Sequence, residues 1–225
     1  MFDEPFLLIG HRGAAGLEPE NTLRSFLRAA ELGVAAVELD VRRCSDELIV
    51  LHDDRVDRTT NGKGALADFT LESLRNLDAG QGERIPLLAE IFKSLPHEIG
   101  INLELKEHGL AAPVLAFLDA ISDDRAVLVS SFHHDELKAL RRLRPDIRLA
   151  PLFQRQSRTM LAVAEALDAW SVNVGRQMTS RELIDEAHEA GLRVLVYTVN
   201  EPNEADRLRE WGVDGLFTDR PDLIR

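Results

Sequence analysis

The stretch Ala36-Val37-Glu38-Leu39-Asp40-Val41, followed after a polar turn by Ile49-Val50-Leu51-His52, decides how this chain folds. The first run is apolar and β-branched apart from two carboxylates spaced i, i+2, the period at which strand side chains share one face. Too few residues separate the two runs for a parallel crossover, which needs about a dozen or more. The second run therefore returns in the antiparallel sense. A turn centred on Asp46 would set Asp40 opposite His52 and bring that histidine beside the two carboxylates.

Similar short runs recur along the chain: Leu7–Ile9, Ile101–Leu105, Ala126–Ser130, Leu149–Leu152, Ser171–Val174, Val194–Tyr197 and Gly215–Phe217. Amphipathic patterns lie between most of them. Leu23, Phe26, Leu27 and Ala30 mark one helix face, Leu137, Leu140 and Leu143 another, and Leu183, Ile184 and Ala187 a third. Asn21 is placed to cap the first helix and Gly33 to end it. With the opening run, eight strands alternating with helices predict an α/β fold, a parallel (β/α)₈ TIM barrel. Residues 54–86, with Asn61-Gly62-Lys63-Gly64, Gly80-Gln81-Gly82 and a short helical pattern (Leu71, Leu74, Leu77), read as a small insertion after the hairpin. Residues 1–225 read as one barrel domain.

The 225 residues, 44% hydrophobic and 29% charged, have an ordinary globular composition. A net charge of −12 argues against nucleic acid as a partner, because phosphate backbones need a basic face. It also means that a phosphate ligand needs a local positive field. No apolar run approaches the roughly 18 residues of a membrane span, so no integral membrane segment is expected. Met1-Phe2-Asp3-Glu4-Pro5 lacks the basic start of a signal peptide. Cys44 is the lone cysteine, which suits a reducing, cytoplasmic setting. Oligomeric state is left open.

Barrels of this kind carry reactive groups at the C-terminal ends of their strands. There the sequence places His11 and Arg12, then Glu38 and Asp40, His52, Glu104 and Lys106, and Tyr197 with Asn200. Converging carboxylates repel one another, and a hard divalent cation is the usual remedy: Mg²⁺ or Ca²⁺, with Mn²⁺ a third candidate, rather than Zn²⁺. A structural ion-pair cluster, Glu104 with Lys106 or Arg42, is the competing reading, and spacing alone leaves both open. His11 and His52 have the ordinary pKa for proton transfer near neutral pH. A lone histidine is more often structural, but both of these lie at strand ends. The other five, His97, His108, His133, His134 and His188, read as solvent-facing. Arg12 and Lys106 are candidate phosphate partners, with a plain surface side chain the alternative for Arg12. Gly13 and Gly16 either let the backbone approach a ligand or turn the loop. Cys44 reads as non-catalytic.

Taken in order, His11-Arg12-Gly13, Pro19-Glu20-Asn21-Thr22, Val37–Val41, His52-Asp53, Arg58-Thr59-Thr60, Asn102–Lys106, Tyr197–Asn200 and Gly215–Asp222 resemble the glycerophosphodiester phosphodiesterase family over residues 10–222. The resemblance implies a phospholipase C-like barrel and a small-molecule glycerophosphodiester substrate, cleaved to glycerol 3-phosphate and an alcohol. It implies one divalent cation on Glu38, Asp40 and Glu104, His11 and His52 as general acid and base, and Arg12 and Lys106 at the phosphate. Glu20 and Asn21 are expected to support the first loop and cap its helix. Two features depart from the family pattern. The turn Cys44-Ser45-Asp46-Glu47 is one residue short and lacks the usual Asp-Gly, and Tyr197 stands where a Trp is common as a pocket wall. Within the same class, a lysophospholipase D-like or sphingomyelinase D-like activity would need a broad apolar mouth, which residues 54–86 do not advertise. A binding protein without activity would be favoured by loss of a site position, and none is lost.

Overall fold

The apolar runs become the strands expected of them. The structure, a computed structural model, describes residues 2, 4–121, 123–155 and 159–224. Its strands are β1 (Leu7–Gly10), β2 (Ala36–Cys44), β3 (Glu47–Val50), β4 (Gly100–Leu105), β5 (Val127–Ser131), β6 (Arg148–Phe153), β7 (Ser171–Gly175), β8 (Arg193–Tyr197) and β9 (Gly215–Thr218). Helices α1 (Leu23–Glu31), α2 (Leu71–Arg75), α3 (Leu88–Ser94), α4 (Ala111–Ala120), α5 (His134–Leu143), α6 (Met160–Ala166), α7 (Arg181–Glu189) and α8 (Pro202–Trp211) run between them. All strands but β3 pair in parallel in the order β1-β9-β8-β7-β6-β5-β4-β2, and pairing of β1 with β2 closes the barrel.

The two-residue period of each strand sorts its side chains. Along β2, Val37, Leu39 and Val41 pack with Phe26 of α1 and Ile91 of α3. Ala36, Glu38 and Asp40 therefore face the barrel interior. The inner core of Leu7, Ile9, Ala36, Leu128, Ala150, Leu195 and Phe217 is joined by Phe2. The Phe2 ring meets Trp170 edge-on at 5.5 Å. The carboxylates Glu38, Asp40 and Glu104 lie beyond this filling, toward the C-terminal ends of β2 and β4.

Local details differ from the sequence reading. The cap of α1 is Thr22, whose hydroxyl accepts the Ser25 N–H; Asn21 lies one residue earlier in a left-handed conformation (φ 57°). Gly33, at φ 80°, follows the helix as expected. The buried face of α1 is Ser25, Phe26 and Ala29, and Leu27 is exposed. In α5, Leu137 and Leu140 are buried but Leu143 is exposed; Leu183, Ile184 and Ala187 of α7 are buried as predicted.

The hairpin forms, with a register one residue from the one expected. Val41 pairs with Val50 and Cys44 with Glu47. The turn is thus the two-residue Ser45-Asp46, with Ser45 at φ 56°. The Leu51 N–H donates to the Asp40 carbonyl at 2.9 Å, so Leu51, not His52, lies opposite Asp40. Two-residue hairpin loops need a left-handed residue that matches the strand twist, and Ser45 supplies it. Between β3 and α3 the chain forms a 3₁₀ turn (Leu66–Asp68) and α2. Val56, Leu66, Leu74 and Ile85 pack there against Ile49 and Leu51 of the hairpin. Among the described residues no helix is long and apolar enough to cross a membrane.

Candidate active site

Chain geometry after β1 sets the first half of the site. Arg12 (φ 51°) and Gly13 (φ 85°) are both left-handed. Gly13 is required there because a Cβ would lie 2.4 Å from the Ser25 hydroxyl, so the glycine serves packing on α1 rather than access for a ligand. Gly16 is confined in the same way, by Arg220. The tight turn aims the Arg12 N–H at Glu38 Oε2 (2.9 Å). The Arg12 guanidinium reaches Glu20 (2.8 Å) and Asp40 (3.3 Å), so it is not a plain surface side chain.

The β2–β4 register sets Asp40 beside Glu104, and Glu38 beside Asn102. One carboxylate oxygen each of Glu38, Asp40 and Glu104 lies within 4.8 Å of the others. Glu38 and Asp40 are only 2% and 1% exposed. Burial, then repulsion from Asp40, pushes the Glu38 carboxyl up to about 8. Burial and Asp40 likewise raise Glu104. Burial opposes ionisation of Asp40 too, but Lys106 and Arg12 hold it below the usual range. Lys106 Nζ lies 2.7 Å from Glu104 and 3.5 Å from Asp40, so the Glu104–Lys106 ion pair of the competing reading is present. Arg42 is not part of it, because its guanidinium goes to the His52 carbonyl and to Glu107. Even so, Glu38 Oε1 and Asp40 Oδ1 are buried without a hydrogen bond among the described residues. Orphaned carboxylate oxygens are costly, and converging hard oxygens suit Mg²⁺, Ca²⁺ or Mn²⁺. The three carboxylates could hold such an ion, and the donor set fits it.

Both histidines border this cluster and are clamped through the same ring nitrogen. His11 Nδ1 lies 2.7 Å from Asp219, which also accepts from the Asn200 amide at 2.7 Å. His52 Nδ1 lies 2.5 Å from Asp53. Arg58 donates to Asp53 and to Glu20, and Glu20 holds Arg12, so one chain of ion pairs links the two halves of the site. A carboxylate on Nδ1 leaves Nε2 as the nitrogen that can exchange protons with a ligand. Burial lowers the His11 pKa, but Asp219 and Glu38 outweigh it and the net shift is upward. For His52, burial wins and the net shift is downward, opposed by Asp40 and Asp53.

Tyr197 stands on the far wall, edge-on to Phe132 (6.2 Å) and Phe217 (6.4 Å). A narrow cavity runs between these rings and His11, Glu38 and Glu104. All eight residues read from the sequence thus gather at one barrel mouth. His97, His108 and His188 are exposed as expected, whereas His133 and His134 are half-buried and near the Lys106 and Leu152 carbonyls. Sequence reasoning placed Asn200 at the mouth without a role and missed the supporting work of Asp53, Arg58 and Asp219, and the contact of Asn21 with Asp40. Each lies inside a quoted motif, but nothing in its residue type announces which histidine or carboxylate it holds.

Comparison with known proteins agrees with the barrel fold. Residues 11–223 match the model of the glycerophosphoryl diester phosphodiesterase family. The chain is 39% identical to YhdW of Bacillus subtilis over 96% of each chain. It is 34% identical to the glycerophosphodiester phosphodiesterase of Caldanaerobacter subterraneus subsp. tengcongensis, over 97% of this chain and 96% of the other. An Oleispira antarctica phosphodiesterase, solved in complex with the product sn-glycerol-3-phosphate, superposes with a TM-score of 0.91 at 31% identity, covering 96% of this chain and 93% of that one. Barrel, site and comparisons together place this chain: it belongs to the glycerophosphoryl diester phosphodiesterase family.

Proposed function

We propose that the chain hydrolyses glycerophosphodiesters to glycerol 3-phosphate and an alcohol, with a divalent cation on Glu38, Asp40 and Glu104 and with His11 and His52 as general acid and base. One observation carries this reading: two histidines, each oriented by its own aspartate, border a buried carboxylate trio with unsatisfied oxygens. The complex of the similar Oleispira antarctica enzyme with sn-glycerol-3-phosphate supports the product. We read residues 1–225 as one barrel domain, 54–86 as a small insertion in it, and the buried, unpaired Cys44 as compatible with a cytoplasmic setting.

A bound cation would supply the positive charge that polarises the phosphoryl group and lowers the pKa of a nearby hydroxyl. Arg12 and Lys106 add the local positive field that a chain of net charge −12 otherwise lacks. One histidine Nε2 takes the proton of the nucleophile, either water or the glycerol 2-hydroxyl; the latter route passes through a cyclic phosphate that water then opens to glycerol 3-phosphate. The other gives a proton to the departing alkoxide oxygen. Asp219 and Asp53 accept from Nδ1–H, fixing each tautomer and stabilising each imidazolium as it forms. Tyr197 walls the substrate side. Turnover of glycerophosphocholine, measured with and without EDTA and then with Mg²⁺, Ca²⁺ or Mn²⁺ restored, tests this. Loss and recovery of activity are expected; activity untouched by stringent chelation refutes the cation site.

A further inference from the structure

Arg58 reaches the site from the segment after the hairpin, outside the barrel strands. Its guanidinium makes a fork on each of two carboxylates. Nε and Nη2 donate to Asp53 Oδ2 and Oδ1 at 2.7 and 3.1 Å. Nη1 and Nη2 donate to Glu20 Oε2 and Oε1 at 2.7 and 2.8 Å. The remaining partner of each carboxylate is a group assigned to the reaction above. Asp53 meets His52 Nδ1 (2.5 Å), and Glu20 meets Arg12 Nη1 (2.8 Å). Among the described residues, nothing else bonds either carboxylate.

The two histidines are thus supported differently. Asp219, which orients His11, is itself held by the Asn200 amide at 2.7 Å. Asp53 has no such amide, and Arg58 takes its place. A side chain 26% exposed with one hydrogen bond to its neighbour in sequence can turn into solvent instead. Arg58 is also the largest influence holding the Asp53 carboxyl below its ordinary range. For Glu20, burial opposes ionisation, and Arg58 followed by Arg12 overcomes it.

Arg58 is 46% exposed, and a single ion pair so exposed commonly adds little; a network of paired forks is the exception. The segment does not need this side chain to hold its shape. The Val56 N–H donates to the Gly64 carbonyl (3.1 Å), the Thr60 N–H to Val56 (3.1 Å) and the Leu66 N–H to Asp54 (2.8 Å), while Val56 and Leu66 are buried against the hairpin. The backbone at Arg58 is therefore fixed by other groups.

We propose that Arg58 is a positioning residue for both halves of the site: one guanidinium sets the His52 ring through Asp53 and the Arg12 fork through Glu20, so that proton transfer and phosphate binding share a single support. The assignment rests on the roles given to His52 and Arg12 in the reading above and deepens it. Geometry as well as charge is required, because four N–H donors in one plane meet two carboxylates. A lysine ammonium, three donors at one point, cannot form two forks.

The test measures kcat and KM for glycerophosphocholine in Arg58→Met, Arg58→Lys, Asp53→Ala and Glu20→Ala, and in the two double variants that join Arg58→Met to each alanine. Thermal melts accompany them and should stay near wild type for Arg58→Met. That variant should lose about 10–10²-fold in kcat, the cost of modest misplacement of a catalytic group. Its KM should rise about threefold or more, the scale of one weakened hydrogen bond. Arg58→Lys should recover only part of either loss. Each effect passes through one carboxylate, so it should vanish where that carboxylate is already gone. Arg58→Met should lower kcat no further in Asp53→Ala, and raise KM no further in Glu20→Ala. A general contribution to folding would instead give additive losses. Additive losses in either cycle, or wild-type kinetics in Arg58→Met or Arg58→Lys, overturn the proposal. If Arg58→Met fails to fold, Arg58→Lys replaces it in both cycles. Absence of wild-type turnover on every glycerophosphodiester would sink the parent reading, and the positioning role with it.

Discussion

Asn21 holds Asp40 from two directions. Its Nδ2 donates to Asp40 Oδ2 at 2.7 Å, and its Oδ1 accepts the Asp40 N–H at 3.3 Å. The left-handed backbone of Asn21 makes this reach feasible, and asparagine is among the few residues that tolerate it. The amide leaves Asp40 Oδ1 without a hydrogen bond, 3.5 Å from the Lys106 ammonium.

Deleting that amide should weaken cation binding without unfolding the loop. Asn21→Gly keeps the left-handed backbone accessible. Groups that orient a metal ligand typically contribute 10–100-fold in affinity or activity, and a loss of that size is expected. Calorimetric titration with Mn²⁺ measures it. Wild-type affinity in the variant would show that Asp40 needs no such support.

A second relationship controls His52. Arg42 donates from Nε and Nη2 to the His52 carbonyl, at 2.9 and 2.8 Å, just beyond the last strand pair of the hairpin. This fork ties the histidine's backbone to β2 where the strand ladder ends. Arg42→Met preserves most of the aliphatic stem and removes every donor. Turnover should fall by about 10–10²-fold, the cost of modest misplacement of a catalytic group, while Mn²⁺ affinity stays near wild type. A variant with unchanged kcat would mean that the ladder alone fixes His52.

These two contacts mark the limit of what the sequence disclosed. Burial and strand period are local properties, so the barrel and the inward set Glu38, Asp40 and Glu104 were legible in apolar runs and i, i+2 spacing. The exact register of the hairpin was not. It depends on Ser45 adopting a left-handed φ, which glycine or asparagine would have advertised and serine does not. Asn21 was read as a helix cap because its residue type favours that position, yet Thr22 takes the cap and frees the amide for Asp40. Asp219 binds His11 from 208 residues away, a pairing made only by closure of β9 against β1.

Opposite shifts of the two histidines predict a bell-shaped pH dependence of kcat/KM. If one ring must be neutral and the other protonated, the acid limb follows the lower pKa and the alkaline limb the higher, whichever ring is the base. His52 is shifted below 6.5 and His11 above it. Asp219→Asn removes a charge that favours the His11 imidazolium, so the His11 pKa falls. The alkaline limb should move to lower pH while the acid limb stays. Movement of the acid limb instead would reassign the two limbs.

Glu38→Gln should stabilise the cation-free protein while disabling it. In the fold Glu38 is pushed up to about 8, against an ordinary value of 4.5. Between those two pH values the folded state therefore holds a proton that the unfolded state has released. Stability then falls as pH rises through the window, and the penalty is complete above it. Glutamine cannot ionise, so the variant loses this slope. In EDTA at pH 9 the variant should melt higher than wild type, by the equivalent of a few kcal/mol at most, roughly the scale of a shift of several pH units shared among coupled carboxylates. At pH 4 the two should melt together. Adding Ca²⁺ or Mn²⁺ should reverse the order at pH 9, because wild type gains RT ln(1 + [L]/Kd), about 2.7 kcal/mol at a hundredfold excess over Kd, and the variant, lacking one ligand charge, gains less. Thermal melts at the two pH values, with and without cation, test all four corners. A wild type already as stable as Glu38→Gln in EDTA at pH 9 would show that Arg12 and Lys106 neutralise the trio by themselves, and the case for a cation would fall with it.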